Sequence, residues 1–209
     1  MLTYERACWA AGCRRLAGVD EAGRGPWAGP VVAAAVMLEP AFAMAEGDRL
    51  LRGLTDSKQL SPARREFFFD LLHGRAEVRL GVGRAEVAEI DALNILRATH
   101  LAMARALGQL HPAPEFALVD GRPVPGLPCP SQAIVRGDAL SLSIAAASVI
   151  AKVTRDRWML DYDRLYPAYG FARHKGYGTA VHQRALRACG PCPLHRRSFR
   201  PVRVALGLT

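Results

Sequence analysis

No apolar run in this chain approaches the roughly 18 residues that a bilayer span requires. The longest plain apolar stretch, Val31 to Leu38, is closed off by Pro30 and Pro40 and has the length of a buried strand. Met1 to Arg15 carries Glu5, Arg6, Arg14 and Arg15 and lacks the apolar h-region of a signal peptide. The expectation is therefore a soluble, cytoplasmic protein with no membrane partner. Low-complexity segments and internal repeats are missing too, which excludes solenoids and disordered tails. The five cysteines (Cys8, Cys13, Cys129, Cys189 and Cys192) are odd in number and scattered, a poor disulfide framework that fits a reducing compartment. Acidic residues become scarce late in the chain. From residue 151 onward there are 12 Lys and Arg against 3 Asp and Glu, while the first 150 residues hold 16 of each, so the whole net charge of +9 sits in the last 59. Such asymmetry predicts a polyanion-binding face.

What is present suits one globular domain of residues 1–209, half hydrophobic and large enough to bury a core, with about 160–209 as a basic helical C-terminal part that binds substrate. Leu16 to Asp20 and Val31 to Leu38 read as strands joined across a Gly/Pro turn at Gly23 to Pro30, a hairpin with an enlarged loop. After a loop, Ser61-Pro62 supplies the N-cap and first residue of a helix running through Leu72. Val78 to Val82 reads as a further strand. Asp91 can cap a helix in which Leu96, Met103, Leu107 and Leu110 recur at helical spacing. Phe116 to Asp120 and Ala133 to Val135 are short strands, Ser143 to Leu165 a long helix that begins in small residues, and Thr179 to Ala188 a last helix stopped by Gly190 and Pro191. Strands mixed with helices after an opening hairpin indicate an α/β fold with a mixed β-sheet flanked by helices.

Four carboxylates lie at or near the ends of these strands: Asp20 and Glu21 on the first, Asp120 on a later one, and Asp138 after the last. Open α/β sheets keep their sites at such rims. Carboxylates that converge repel one another and raise each other's pKa values unless cations neutralise them. Oxygen ligands suit Mg²⁺ or Mn²⁺, and two such ions roughly 4 Å apart can activate water and stabilise a leaving oxygen in phosphodiester cleavage. Side chains of neighbouring strand residues point to opposite faces, so Glu21 is expected where the strand bends into the glycine turn. A cap or turn role remains the alternative for each acid taken singly.

These blocks resemble those of bacterial ribonuclease HII. Gly18-Val-Asp-Glu-Ala-Gly-Arg-Gly-Pro-Trp-Ala-Gly-Pro-Val-Val-Ala-Ala-Ala-Val36 looks like that family's opening motif nearly residue for residue, and Asp56-Ser-Lys-Gln-Leu-Ser61 is similar to its second. Leu118-Val-Asp-Gly121, Gly137-Asp138 with Ile144 to Asp156, His174-Lys-Gly-Tyr-Gly-Thr179 and Gly190-Pro-Cys-Pro-Leu-His-Arg-Arg-Ser-Phe199 come after them in order. The match runs from about Leu16 to Val202. The resemblance implies a ribonuclease H-like fold, a monomer, and Asp20, Glu21, Asp120 and Asp138 as ligands of two divalent ions. It implies hydrolysis of the RNA strand of RNA–DNA hybrids, leaving 5′-phosphate and 3′-hydroxyl ends. It also implies that Gly23-Arg24-Gly25 and Tyr177 recognise the junction between a ribonucleotide and the deoxyribonucleotide after it, in DNA duplexes with embedded ribonucleotides. The chemistry is consistent: glycines let backbone approach a 2′-hydroxyl, a tyrosine ring can stack on a sugar without one, and Arg24 can pair with a phosphate. Lys58 and the His174-Lys175 pair are candidate phosphate contacts.

Other readings compete. A related two-metal nuclease with another substrate would keep the carboxylates but not the junction block, and a non-catalytic nucleic-acid-binding module would use only the basic part. Cys189-Gly-Pro-Cys192 spells a redox motif, yet it comes after a helix instead of opening one, and Pro193 discourages a new one. Cys189, Cys192, His195 and His182 could surround zinc, but no second knuckle accompanies them. His195-Arg196-Arg197 could belong to the basic face or could tie the tail to the core.

Overall fold

The eight apolar residues of Val31–Leu38 are buried along their whole length, because a strand covered by helices on both faces has no solvent side. The computed structural model describes residues 1–208 and builds outward from that strand. Helix α1 (Thr3–Ala10) precedes β1 (Leu16–Ala22) and β2 (Val31–Leu38), an antiparallel hairpin with Asp20 opposite Ala34. Helices α2 (Pro40–Glu46) and α3 (Pro62–His73) lead to β3 (Val78–Ala85), which pairs antiparallel with β2. Helices α4 (Val87–Leu93) and α5 (Ile95–Gly108) carry the chain to β4 (Phe116–Asp120) and β5 (Ser131–Ile134), parallel to β1 and to β4 respectively. The strand order is β3-β2-β1-β4-β5. Helix α6 (Leu142–Leu165) comes next, and α7 (Phe171–His174), α8 (Ala180–Cys189) and α9 (Arg200–Ala205) complete the described chain. The expected mixed sheet flanked by helices is present.

Alternation divides the sheet's side chains between two cores. Ala34, Val36 and Leu38 pack with the small residues Ala145, Ala146 and Val149 at the start of α6. Ala17, Val19, Ala33 and Ala35 face Ala98, Ala102, Met103 and Ala106 of α5. Helix α6 can lie very close because Gly18 offers no side chain: a Cβ there would sit 2.1 Å from the Ser143 carbonyl carbon and 2.4 Å from Ile144 N. The start of α6 is fixed further by Ser141, whose hydroxyl accepts the Ile144 N–H. Ser141 and Ser143 in turn donate to the buried Glu5 of α1.

Three expectations change. The helix expected behind an Asp91 cap starts at Ile95 instead, capped by Asn94, which adopts φ 70° and accepts the Leu96 and Arg97 N–H groups, and Asp91 itself lies inside a separate short helix, α4. Glu86 caps α4 in a box with Glu89. Asp91 caps neither helix; its carboxylate receives the backbone N–H groups of Arg197 and Ser198, 106 and 107 residues away. The stretch after Leu38, expected as loop, contains α2, begun by Pro40 at its first position. Among the described residues no helix is long and apolar enough to cross a membrane.

The Gly18 contact yields a stability test. Gly18→Ala should lower stability by about 1–3 kcal/mol, because backbone and not a flexible side chain must give way. Gly108→Ala, at the end of α5 with nothing within 4 Å of the new methyl, should be neutral or stabilise by up to about 1 kcal/mol. Thermal unfolding of the two variants beside the parent measures both, and equal melting temperatures would show that α6 does not depend on that close approach.

Candidate active site

Parallel pairing of β1 with β4 sets Val19 beside Val119, so the next residues, Asp20 and Asp120, leave the sheet rim side by side. Both belong to the parity that faces α6. Beyond β5 a single 3-10 turn (Gly137–Ala139) brings Asp138 to the same place. Ligand oxygens of Asp20, Asp120 and Asp138 lie within 4.8 Å of one another. The Gly137 N–H donates to Asp120 Oδ1 at 2.7 Å, joining the second strand end to the turn that carries the third acid. Ser148 of α6 hydrogen-bonds Asp20, and its hydroxyl oxygen lies 2.9 Å from Ser57 Oγ, close enough to accept the Ser57 hydroxyl proton.

Bringing these anions together is costly. Burial, then the charges of Glu21 and Asp120, holds the Asp20 carboxyl well above the usual carboxylate range. Burial, then Asp120 and Asp56, raises Asp138. Burial tends to neutralise Lys58 as well, but Asp56, Asp20, Asp138 and Asp120 outweigh it and hold that ammonium above an ordinary lysine value. Three hard oxygen donors packed this closely form a set whose mutual repulsion a divalent cation would relieve. Among the described residues they are the one such group of three His, Cys, Asp or Glu side chains.

Glu21 stands apart. The strand does not bend at Glu21 as the sequence suggests; it continues to Ala22, with Glu21 opposite Ala33. Alternation therefore directs Glu21 to the α5 side, where it shares a cleft with Leu96, His100 and Asp120. Arg24 holds its carboxylate at 3.1 Å. Burial raises the Glu21 pKa against the pull of Arg24 and Lys58, with Asp120 adding to the rise.

Next to the acids, a cleft of about 440 Å³ is lined by Glu21, Gly23, Arg24, Gly25, Lys58 and Tyr177, six residues singled out in the sequence. Tyr177 is 45% exposed, and a Cβ on Gly25 would lie 3.6 Å from its ring. A sheet rim of clustered carboxylates beside a cationic, glycine-lined cleft suits phosphodiester chemistry. The family model for ribonuclease HII matches residues 17–202.

The chain belongs to the ribonuclease HII family. It is 56% identical over 206 residues to the ribonuclease HII of Geobacillus kaustophilus, covering 99% of this chain and 76% of that one. Identity to the ribonuclease HII of Halorhodospira halophila is 54%, covering 99% and 100%. Among solved structures, the ribonuclease H2 from Pyrococcus horikoshii superposes with a TM-score of 0.73 at 28% identity, over 91% of this chain and 96% of that one. The fold is thus ribonuclease H-like, and the protein is a metal-dependent ribonuclease H endonuclease of the family that cleaves RNA in RNA–DNA hybrids.

Sequence reasoning missed the residues that stand behind the cleft. Ser148, Lys152 and Arg155 recur on one face of α6, a polar stripe at helical spacing that a periodicity reading aimed at polar residues could have found. Arg155 and Arg196 are buried and hydrogen-bond only to backbone carbonyls, and the Arg196 guanidinium also lies over the Phe199 ring, 5.1 Å from its centre. Of the two readings left open for His195-Arg196-Arg197, His195 and Arg196 tie the tail to the core. The redox and zinc readings find no support. Burial pushes the Cys192 thiol up, the wrong direction for a reactive thiolate. The histidine nitrogens are engaged with one another, with the backbone and, at His195 Nδ1, with the Cys192 thiol at 3.2 Å, and no group of three metal-ligating side chains forms there among the described residues.

That histidine network supports Tyr177 from behind. A carbonyl can only accept, so the contact of His182 Nδ1 with the Tyr177 carbonyl at 3.0 Å places a proton on Nδ1. In neutral His182 the other nitrogen then accepts from His195 Nε2–H, also at 3.0 Å. His195 Nδ1 is then left to accept the Cys192 backbone N–H at 3.0 Å, with the Cys192 thiol at 3.2 Å a second donor to it, and the Cys192 carbonyl, at a longer 3.3 Å, is left without the Nδ1 proton that it would need. His174 stacks on His182 with ring centres 4.5 Å apart, donating from Nε2 to the Tyr169 carbonyl and accepting the Gly176 N–H. A further proton on His182 or His195 would set N–H against N–H. Burial lowers the pKa of both, reinforced for His195 by His182, and takes His195 to about 4.

These shifts fix the direction of the pH dependence. A histidine depressed below its unfolded value of about 6.5 contributes stability that is complete above that pH and is lost as pH falls toward 4, at about 1.4 kcal/mol per pH unit traversed. Imidazole ¹⁵N spectra at neutral pH should show His195 as the Nε2–H tautomer and His182 as Nδ1–H, with His195 titrating only near pH 4. A resonance for His195 that titrates near its ordinary value in the folded protein would refute the network.

Proposed function

We propose that the chain cuts the RNA strand of RNA–DNA hybrids and also duplex DNA at single embedded ribonucleotides, leaving 5′-phosphate and 3′-hydroxyl ends, as a cytoplasmic monomer. The observation that carries this reading is the adjacency of two sets. Asp20, Asp120 and Asp138 converge at the rim, while Gly23, Arg24, Gly25, Lys58 and Tyr177 line the neighbouring cleft. Asp20, Asp120, Asp138 and, from across the rim, Glu21 would hold two divalent ions, Mg²⁺ or Mn²⁺. Such ions supply the Lewis acidity that neutralises a scissile phosphate and activates water.

The chain's own groups do the rest. Lys58 and Arg24 place positive charge where a phosphate would lie. Arg24 currently occupies Glu21, so a phosphate that attracts Arg24 also releases that carboxylate. Gly25 keeps the turn bare enough for a ribose with a 2′-hydroxyl, Gly23 lets the turn pass close over Arg155, and the exposed Tyr177 ring offers a face to a sugar that lacks that hydroxyl. Basic side chains of residues 160–208 extend the contact along the duplex, a sequence-independent term that should weaken with salt.

Cleavage of a duplex with one ribonucleotide, a uniform hybrid and an all-DNA duplex, each with Mg²⁺, tests the proposal; cutting of the all-DNA duplex would overturn it. Asp120→Asn should retain hybrid affinity by gel shift and lose at least about a thousandfold in rate, equivalent to about 4 kcal/mol. Near-parental rates at saturating Mg²⁺ would remove Asp120 from the site. Tyr177→Ala should reduce the ratio of kcat/KM for the single-ribonucleotide duplex over the uniform hybrid about fivefold, the lower end of a stacking loss. An unchanged ratio would make Tyr177 a packing residue.

A further inference from the structure

Two arginines at the back of the cleft are buried with no carboxylate within ion-pair distance among the described residues. Every hydrogen bond that each of them makes goes to a backbone carbonyl. Arg196 donates from Nε to Gly29 at 2.9 Å, from Nη1 to Arg24 at 2.9 Å and from Nη2 to Gly23 at 2.6 Å. Arg155 donates to Pro30 at 3.0 Å, Ala28 at 3.1 Å and Lys175 at 3.0 Å. A buried cation without a counter-ion is costly, and apolar residues of like volume would often serve stability better. What only the planar guanidinium supplies is direction, since its fork fixes several acceptors at once.

That direction has a consequence for the turn. In a trans peptide the carbonyl of one residue and the N–H of the next point opposite ways. Arg196 draws the Gly23 and Arg24 carbonyls inward, and this turns the N–H groups of Arg24 and Gly25 outward toward the cleft. The turn accepts the pose because Gly23 has φ +94°, and a Cβ there would meet Arg155 Nε at 2.0 Å. Arg155 joins the same loop to the block that carries Tyr177 through the Lys175 carbonyl. The Trp27 N–H donates to Gly176, and the Arg196 N–H to Trp27, completing the tie.

We infer that Arg196, backed by Arg155, is a positioning residue for ribonucleotide recognition: it aims the amides of Arg24 and Gly25 at an acceptor oxygen of the junction nucleotide. The inference rests on the reading that this turn senses the junction. Asp91 belongs to the same device, because it holds the Arg197 and Ser198 N–H groups and so fixes the tail beside Arg196.

The test uses Arg196→Lys, which keeps the charge and loses the fork, and Asp91→Ala, which leaves the guanidinium and frees the tail. Both are assayed on the single-ribonucleotide duplex and on the uniform hybrid, with folding checked by circular dichroism at the assay temperature. For Arg196→Lys, kcat/KM on the single-ribonucleotide duplex should fall on the order of 10- to 100-fold and at least tenfold more than on the uniform hybrid. Asp91→Ala should shift the same ratio in the same direction by less, and it decides the matter if Arg196→Lys does not fold. A parental enzyme indifferent to the embedded ribonucleotide would overturn the junction reading itself. A selective parent whose variants lose equally on both substrates, or lose nothing, would reduce Arg196 to scaffolding.

Discussion

Mutual repulsion among carboxylates is the constraint on which the rest of this architecture depends. Three acids must be held within 4.8 Å of one another, partly out of water, by a framework stiff enough to resist their separation. The sheet supplies it by using different chain segments for each acid, so that no single flexible loop bears the strain. Asp20 and Asp120 leave adjacent parallel strands, and Asp138 stands on a tight turn tied back to Asp120 through Gly137. Helix α6, resting on Gly18, braces the rim from below and brings Ser148 and Lys152 with it. Lys58 adds a positive charge that the acids themselves retain.

The parts legible in the sequence are those set by local rules. Apolar runs ending in acids point to Asp20 and Asp120, because a strand buried on both faces must be continuous and its end must be polar. The break between α4 and α5 is not legible, since it depends on Asn94 adopting a positive φ with an extended ψ within an otherwise helical pattern. Alternation correctly separates Asp20 from Glu21. The bend expected to reunite them is absent, yet Glu21 and Asp120 line one cleft, where the charge of Asp120 raises Glu21. Asp91 looks like a helix cap because Asp usually caps the helix after it; tertiary contact gives it backbone donors from a distant segment instead.

Charge counting is the least faithful guide. The C-terminal excess is real, yet Arg155 and Arg196 are spent on carbonyls, and Lys152, Arg157 and Arg164 are paired with Asp156, Glu66 and Asp161. At least five of the twelve late cations therefore work inside the protein. A basic residue in a tail is read as solvated by default, and nothing local to Arg196 says otherwise. Its burial is created by the turn that it organises, 173 residues earlier in the chain.

That separation matters while the protein is being made. Synthesis proceeds from the N-terminus at roughly 5–20 residues per second, and the acids at 20, 120 and 138 all emerge before Arg196 does. A nascent chain can therefore assemble its cluster of carboxylates before the Gly23–Gly25 turn acquires its final shape. The rim of acids can form first, and the turn beside it is fixed only when the late arginine reaches its carbonyls.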